Sequence, residues 1–387
     1  MKLLIISHEY PPIGGGGANA CFFLARQFAQ SGNTVDVLTA MYEALPKEET
    51  TESGVNIYRV KCSRKNKEKS SFAEMLSFLC SAWRKADQMA KEKDYNKCLV
   101  FFGIPSGPIA LHLKKKYGLS YAVRFGGGDI PGAQKRFKYI YKAVSPILRK
   151  IWREADALIA NSEGLKKRAQ RFESRYEISV IENGVDDRFF CPPDGNKEQD
   201  DTIKILFVSR LIEGKGLQFV IPKIKEVNEK VIKESKKSIK LFIVGDGPYR
   251  QTLENLTKEH KAEHIVSFEG RKNKDEVKEY YRGADIFILP SLSEGMPNVV
   301  LEAMASGLPI VMTPCEGSKE LINGNGIIRK PADFCEALIK MCTSEEMRKQ
   351  MGVNSRKLVQ ECFEWEQIAG RYLALIAKGT VSWENYM

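Results

Sequence analysis

The chain has 387 residues, of which 43% are hydrophobic and 28% are charged, a composition that excludes a disordered or collagen-like protein. Its 60 Lys and Arg side chains outnumber its 49 Asp and Glu side chains, which gives a formal net charge of +11. No apolar run reaches the ~18–20 residues that span a bilayer, so we expect a cytoplasmic protein, neither transmembrane nor secreted.

Short apolar runs alternate along the chain with stretches of helical spacing, such as residues 18–30, 216–233 and 274–282. In the first half these runs are residues 3–7, 34–39, 55–60, 97–102, 121–124, 157–160 and 179–181. In the second half they are residues 204–208, 240–244, 265–268, 286–289, 309–312 and 327–328. Such runs are typical of buried parallel strands in alternating βα order. The predicted fold class is therefore α/β, with two doubly wound, Rossmann-like domains that face a central cleft.

The predicted domain boundary is a polar stretch, residues 191–201, which holds two prolines and has no apolar period. We therefore predict a first domain over 1–190, a hinge over 191–201 and a second domain over 202–362. The remaining segment, 363–387, contains an amphipathic helix that can dock on either domain. Parallel sheets bind ligands at the carboxyl ends of their strands, so we expect the functional residues in the loops there.

The cysteines and histidines do not indicate a metal site. The nine cysteines are scattered and form no C-x-x-C pair, so we interpret them as reduced thiols of a cytosolic protein. His260 and His264 are four residues apart, but no glutamate follows the first and no cysteine or carboxylate cluster completes the set. We therefore predict no metal and no bound cofactor.

The strongest motif is residues 293–309, directly after the run 286–289. Pro297 predicts a helix start, with Glu294 in the loop before it and Glu302 ~7.5 Å along the helix axis. The N–H groups at this helix start suit a diphosphate, and the segment concerned comprises Gly295, Met296, Pro297, Asn298 and Val299. A paired-carboxylate glycoside hydrolase is the rival interpretation, but its carboxylates converge from opposite walls of a groove.

Two cations follow another predicted strand, residues 204–208, which comes earlier in the second domain. Arg210 and Lys215 lie in a glycine-flanked turn, where they can neutralise a diphosphate as a leaving group. The segment is not a P-loop, because the G-x-x-x-x-G-K-[ST] pattern is absent. A solvated loop is the alternative.

A glycine-rich loop, residues 10–19, follows the first strand. Its glycines, among them Gly16 and Gly17, let backbone amides approach a phosphate. The loop also matches a dinucleotide fingerprint, but no acidic residue caps the second strand, so an NAD-linked oxidoreductase is the less favoured hypothesis.

Three further strand-end turns supply candidates. Residues 124–131 bring Asp129 toward the predicted cleft, either as a catalytic group or as a turn residue. Gly245 and Arg271 lie in turns of the second domain, where the backbone is available to a nucleotide base.

Together these motifs resemble the retaining glycosyltransferases of family 4, which have the GT-B fold, and the resemblance extends over nearly the whole chain. It implies that Glu294 hydrogen-bonds the donor sugar, that Glu302 binds the ribose, and that Arg210 and Lys215 hold the diphosphate. The amides of Gly16 and Gly17 complete the phosphate site. The family's His-Gly-x-Asp loop is Gly126-Gly-Gly-Asp129 in this chain.

The resemblance further implies sugar transfer with retention and without a metal, from a UDP- or GDP-linked donor. The implied acceptor is a saccharide or lipid-linked intermediate of bacterial surface polysaccharide synthesis. The resemblance implies that the first domain, 1–190, binds this acceptor and that the second domain, 202–362, binds the nucleotide-sugar. It also implies that the C-terminal helix crosses back onto the first domain, where Trp365 and Tyr372 pack. A non-catalytic, basic nucleotide- or sugar-binding protein is the alternative of a different class, although no nucleic-acid-binding motif is present.

The excess charge lies in the first half of the chain. Residues 1–190 hold 31 basic and 20 acidic side chains, whereas residues 191–387 hold 29 of each. Residues 135–153 hold seven basic and no acidic side chains, together with Phe137, Tyr139, Tyr141 and Trp152. Such a mixture suits the headgroup region of an anionic membrane, which predicts peripheral association with the inner face of the membrane. The alternative is a solvated helix face with its aromatics in the core, and Pro146 is expected to interrupt any single long helix.

Overall fold

The computed structural model describes residues 1–67, 70–131, 138–195 and 200–378, without the side chains of residues 138 and 139. The chain divides into two compact units. Unit 1 comprises Met1–Asn183 and the segment that begins at Trp365, and unit 2 comprises Gly184–Glu364.

The division between the units lies before the predicted hinge. Residues 191–195 and 200–201 belong to unit 2, and residues 196–199 are outside the described part of the chain. Val185 already pairs with the end of unit 2, because its N–H donates to the carbonyl of Phe363 at 2.8 Å. Phe190 is 3% exposed and packs edge-on against Tyr281. The segment before the prolines is thus part of the core of unit 2, which polarity and turn residues alone do not indicate.

Unit 1 alternates strands and helices from its first residues. Its strands are β1 Lys2–Ile6, β2 Thr34–Ala40, β3 Glu48–Thr50, β4 Val55–Val60, β5 Lys97–Phe101, β6 Tyr121–Arg124, β7 Ala157–Ala160 and β8 Ser179–Val180. Its helices up to that point are α1 Gly16–Gln30, α2 Phe72–Glu92, α3 Gly107–Tyr117, α4 Lys138–Glu154 and α5 Glu163–Phe172.

These strands form an eight-stranded sheet in the order β3-β4-β2-β1-β5-β6-β7-β8. All neighbours are parallel except β3 and β4. Leu3 lies opposite Val35 on one side and Lys97 on the other, so β1 is central. The strand order reverses direction between β1 and β5, which is where an open parallel sheet forms its ligand crevice.

Unit 2 repeats this plan. Its strands are β9 Thr202–Val208, β10 Ser238–Val244, β11 Val266–Gly270, β12 Ile286–Leu289, β13 Ile310–Met312 and β14 Gly326–Ile328. Its helices are α6 Ile224–Ser235, α7 Arg250–Glu259, α8 Lys274–Gly283, α9 Asn298–Ala305, α10 Ser318–Leu321, α11 Phe334–Thr343 and α12 Glu345–Cys362. The six strands are parallel in the order β11-β10-β9-β12-β13-β14, and the order reverses between β9 and β12.

The last described helix, α13 Trp365–Lys378, belongs to unit 1. The ring of Trp365 stacks on Phe23 of α1 at 5.2 Å between centroids and 8° between planes. Tyr372 is buried, and its hydroxyl accepts a hydrogen bond from Nε of Arg124 at 3.1 Å. The apolar face of this helix thus completes the core of unit 1, although the helix follows unit 2 in the chain.

Two predicted helix boundaries are wrong, both near a proline. Pro146 does not interrupt α4, which continues to Glu154. It lies on the exposed side, and the opposite side buries Leu148 and Trp152, which offsets the ~3 kcal/mol cost of a proline inside a helix. Instead of one helix over 216–233, residues 217–219 and 221–223 form two 3-10 turns before α6, because the backbone of Gly216 is in the left-handed region and Pro222 lacks an N–H.

Candidate functional site

In unit 2, the loops that follow β9, β10 and β12 interlock through glycines. A Cβ on Gly216 would overlap the carbonyl oxygen of Pro290, and one on Gly245 would overlap that of Ser209. Both glycines have positive φ, 79° and 133° respectively. The N–H of Leu292 also donates to the carbonyl of Gly214 at 2.9 Å. These contacts bring the two loops beside the reversal of strand order into direct contact.

The interlocked loops bring Lys215 and Glu294 together. Nζ of Lys215 forms an ion pair with Oε1 of Glu294, and the two side chains are 19% and 15% exposed. Arg210 is exposed in the same loop as Lys215, at the carboxyl end of β9. One carboxylate and two cations therefore lie in the crevice position of this sheet, where a cation can face a diphosphate and a carboxylate can accept a sugar hydroxyl.

The second glutamate of the motif, Glu302, lies on α9, eight residues after Glu294. Its environment differs from that of Glu294. The hydroxyl of the fully buried Tyr281 donates to its Oε2 at 2.9 Å and lies 3.2 Å from the carbonyl oxygen of Val299. Burial raises the pKa of the Glu302 carboxyl to about 7, although the Tyr281 hydroxyl and the nearby Lys274 favour its ionised form. A further hydrogen-bond donor to this carboxylate would lower its pKa and favour the ionised form.

A ligand whose hydroxyls donate to Glu302 favours its ionised form, so it should bind more tightly as the pH rises through 7. For a carboxyl with this pKa, the ionised fraction increases about tenfold from pH 6 to pH 8. The family resemblance implies a UDP- or GDP-linked ligand, so we expect UDP or GDP to gain about tenfold more affinity over this range with the native protein than with Glu302→Gln, measured by titration calorimetry. Because the phosphates titrate equally with both proteins, equal pH dependence would exclude a link between Glu302 and the ligand.

The segment between the two glutamates has the predicted turn and helix, shifted by one residue. Pro297 precedes the helix rather than occupying its first position, and Asn298 begins α9. Met296 is 6% exposed and belongs to the core, so its side chain packs inside unit 2. Gly295 is not crowded, because no atom lies within 4 Å of a Cβ built on it. Arg271 is exposed directly after β11, apart from the reversal between β9 and β12.

In unit 1, the glycine-rich loop lies at the carboxyl end of β1, beside the reversal between β1 and β5. Gly16 begins α1 and is exposed, and a Cβ on Gly17 would lie 2.6 Å from the ring of Phe102. The ring of His8 meets Phe102 edge-on, with centroids 4.7 Å apart. Burial and the charge of Arg64 lower the pKa of His8 to about 3, so this imidazole is neutral at physiological pH.

Asp129 is 8% exposed and holds two loops of unit 1 in place. Its Oδ2 accepts from the N–H of Gly103 at 2.7 Å, and its Oδ1 accepts from the N–H of Gly126 at 2.9 Å. Burial raises its pKa, and these backbone hydrogen bonds oppose that increase. Both oxygens are therefore engaged by backbone, which is the geometry of a turn residue, the alternative that the sequence left open for Asp129.

The sequence did not single out His8, Phe102 or Tyr281. Tyr281 is the second of two adjacent tyrosines on α8, and its helical spacing indicates only a core position. Phe102 directly follows a buried strand and continues its apolar run, so nothing marked its positive φ of 70°. The reversal of strand order could have located these residues. It can be recognised only once the pairing of the strands is known.

The residues of the basic stretch 135–153 lie in different environments. Residues 135–137 lie outside the described part of the chain, and Trp152 is buried in the core of unit 1 against Phe125 and Phe172. Lys142, Arg149 and Arg153 are exposed on α4. Arg149 is paired with Glu173 and Arg153 with Glu154, both at 3.2 Å, and Trp152 is buried, so membrane association stays a prediction.

The described residues contain no group of three or more histidine, cysteine, aspartate or glutamate side chains that could hold a metal ion. Over the same residues, no helix combines the length and apolar character needed to cross a bilayer.

Comparisons with known proteins agree with this geometry. Residues 14–189 match the family model "Glycosyltransferase Family 4", and residues 193–358 match "Glycosyl transferases group 1". An uncharacterized glycosyltransferase of Methanocaldococcus jannaschii, MJ1607, is 29% identical over 95% of this chain and 96% of its own. The putative colanic acid biosynthesis glycosyltransferase WcaL of Escherichia coli is 30% identical over 59% of this chain and 55% of its own. The crystal structure of Anabaena HepE with UDP and glucose superposes with a TM-score of 0.70 at 17% identity, covering 98% of this chain and all of HepE.

Proposed function

Because the chain belongs to the family 4 glycosyltransferases, with their GT-B fold, we propose that it transfers a sugar, with retention of configuration, from a UDP- or GDP-linked donor. The acceptor in this proposal is a hydroxyl of a saccharide or lipid-linked intermediate of surface polysaccharide synthesis. The observation that carries the proposal is the ion pair of Lys215 with Glu294 at the reversal of strand order in unit 2.

In the proposed reaction, the bond between the sugar's anomeric carbon and the diphosphate breaks, and the acceptor oxygen bonds to the same face of that carbon. The acceptor proton leaves on the diphosphate oxygen. Arg210 and Lys215 neutralise the charge that develops on the diphosphate, which is the role otherwise given to a metal ion. Glu294 accepts hydrogen bonds from the donor sugar and orients it. Each of these interactions strengthens as the leaving group departs.

The nucleotide half of the donor is assigned to α9 and the turns around it. Glu302 accepts hydrogen bonds from the ribose hydroxyls, and the N–H groups at the start of α9 face the diphosphate. Gly245 and Arg271 complete the surroundings of the base.

Two relatives support the choice of substrates. HepE was crystallised with UDP and glucose, which favours a UDP-linked donor here. WcaL bears the name of a colanic acid biosynthesis enzyme, which favours a polysaccharide intermediate as acceptor. The exposed cations of α4 fit an acceptor that is presented at an anionic membrane.

A thermal-shift screen with UDP, GDP and NAD tests the donor class. A ligand that binds only the folded state stabilises it by about 2.7 kcal/mol at a concentration 100-fold above its Kd. We expect UDP or GDP to raise the Tm by several degrees and NAD to leave it unchanged. In Arg210→Ala the nucleotide shift should shrink, whereas in Arg153→Ala, an exposed arginine of unit 1, it should persist.

Two results would contradict these assignments. Stabilisation by NAD alone would favour an oxidoreductase. An unchanged nucleotide shift in Arg210→Ala, with unchanged donor KM and kcat, would remove this cation from the site.

A further inference from the structure

Phe102 occupies a conformation that bulky residues rarely adopt. Its φ is 70°, in the left-handed region, and it stands directly after β5, beside the reversal of strand order in unit 1. Two hydrogen bonds hold the backbone there. The N–H of Phe102 donates to the carbonyl of Arg124 at 2.9 Å, and the next N–H, of Gly103, donates to Asp129. Unfavourable conformations that the surroundings enforce are concentrated at functional sites.

The ring of Phe102 lies between two stretches of bare backbone. A Cβ on Gly17 would lie 2.6 Å from the ring, and a Cβ on Gly126 would overlap it. Gly16 and Gly126 are exposed, and Phe102 is a partly buried residue at the margin of the core of unit 1. Any side chain at position 17 or 126 would displace the ring, so the aromatic surface depends on glycine at both positions.

The polar groups beside this ring are uncharged or internally paired. His8, which meets the ring edge-on, is a neutral imidazole. Glu9 follows it, and its Oε1 lies 3.6 Å from Nη2 of Arg64, whose side chain is 2% exposed. The carboxylate of Glu9 also lies against Gly14, whose Cβ would be 2.6 Å from its Oε2. Among the described residues, the surroundings of Phe102 therefore offer an aromatic ring, exposed glycine backbone at positions 16 and 126, and a carboxylate paired with Arg64.

This combination matches a pyranose ring, which has an apolar face of C–H groups and a rim of hydroxyls. We infer that Phe102 is a specificity-determining residue of unit 1, the platform on which a pyranose ring of the acceptor saccharide stacks. The inference rests on the proposed function, because that function requires a saccharide acceptor. It assigns the acceptor's apolar contact to the loop after β5.

Saturation-transfer NMR with the methyl and octyl glycosides of glucose, galactose, mannose and N-acetylglucosamine tests the platform directly. The native protein should transfer saturation to the ring C–H protons of at least one glycoside. Phe102→Leu, which keeps an apolar side chain but no flat ring, should bind that glycoside about three- to tenfold more weakly, whereas Phe102→Tyr should bind it normally. Phe22→Leu, the same change at another partly buried phenylalanine of unit 1, is the matched control.

The thermal shift by UDP or GDP is measured on the same samples. A normal nucleotide shift in Phe102→Leu, together with loss of the glycoside signal, supports a platform role rather than general damage. The inference is overturned if the native protein gives no signal with any glycoside, or if Phe102→Leu binds as well as Phe22→Leu, while nucleotides still bind. Failure of every nucleotide to bind the native protein instead overturns the proposed function.

Discussion

Replacing Glu294 by glutamine should lower kcat about 10²–10³-fold while leaving the fold intact, the size of effect seen when one preorganised electrostatic contact to a transition state is removed. The amide keeps the shape of the side chain but removes the negative charge that pairs with Lys215. In the proposed reaction that carboxylate also accepts hydrogen bonds from the donor sugar and orients it. The effect is measured as release of UDP or GDP from a nucleotide-sugar that carries the base selected by the thermal-shift screen.

The matched control is Glu213→Gln, an exposed glutamate two residues before Lys215 in the same loop. It should leave kcat within about twofold of the native value, because an exposed charge is screened by water and interacts only weakly with the bound donor. The thermal midpoint of Glu294→Gln should stay within a few degrees of the native one, since a single ion pair that solvent still reaches contributes about 1 kcal/mol. A native-like kcat in Glu294→Gln would remove this residue from the chemistry.

The two-domain α/β architecture could be predicted because parallel strands buried on both faces leave short, continuous apolar runs in the sequence. Most predicted runs coincide with strands to within a residue or two, for example 55–60 with β4 and 286–289 with β12. The short edge strand β3 was missed, since Glu48–Thr50 is polar and pairs antiparallel at the margin of the sheet. The membership of α13 in unit 1 rests on contacts with α1 that no local pattern encodes.

The sequence could also identify the polar residues of the candidate site, but not their partners. Glu294 and Lys215 were singled out separately, and only the pairing of β9 with β12 explains why residues 79 positions apart meet. The environment of Glu302 depends on Tyr281, and that of Asp129 on two backbone N–H groups. These are tertiary contacts, so a motif indicates which residue types are present but not whether each is free for a ligand.

Replacing Gly216 by alanine should destabilise unit 2 strongly, because two independent costs coincide at this position. The backbone has a φ of 79°, which an L-residue adopts only with strain, and the added Cβ would overlap the carbonyl oxygen of Pro290. Together we expect a loss of about 3 kcal/mol in the free energy of unfolding. At ~2–4 °C per kcal/mol for a domain of this size, the midpoint of unit 2 should fall by about 6–12 °C in calorimetry.

Gly214→Ala is the matched control, two residues earlier in the same loop. No atom lies within 4 Å of a Cβ built there, and its φ is not in the left-handed region, so this change should be neutral or slightly stabilising. Because Gly216 directly follows Lys215, relief of the overlap must also move the cation away from Glu294. Gly216→Ala should therefore lose nucleotide binding even well below its melting temperature. Equal midpoints and equal nucleotide shifts for the two alanine variants would show that the close approach of the loops after β9 and β12 is not what positions Lys215.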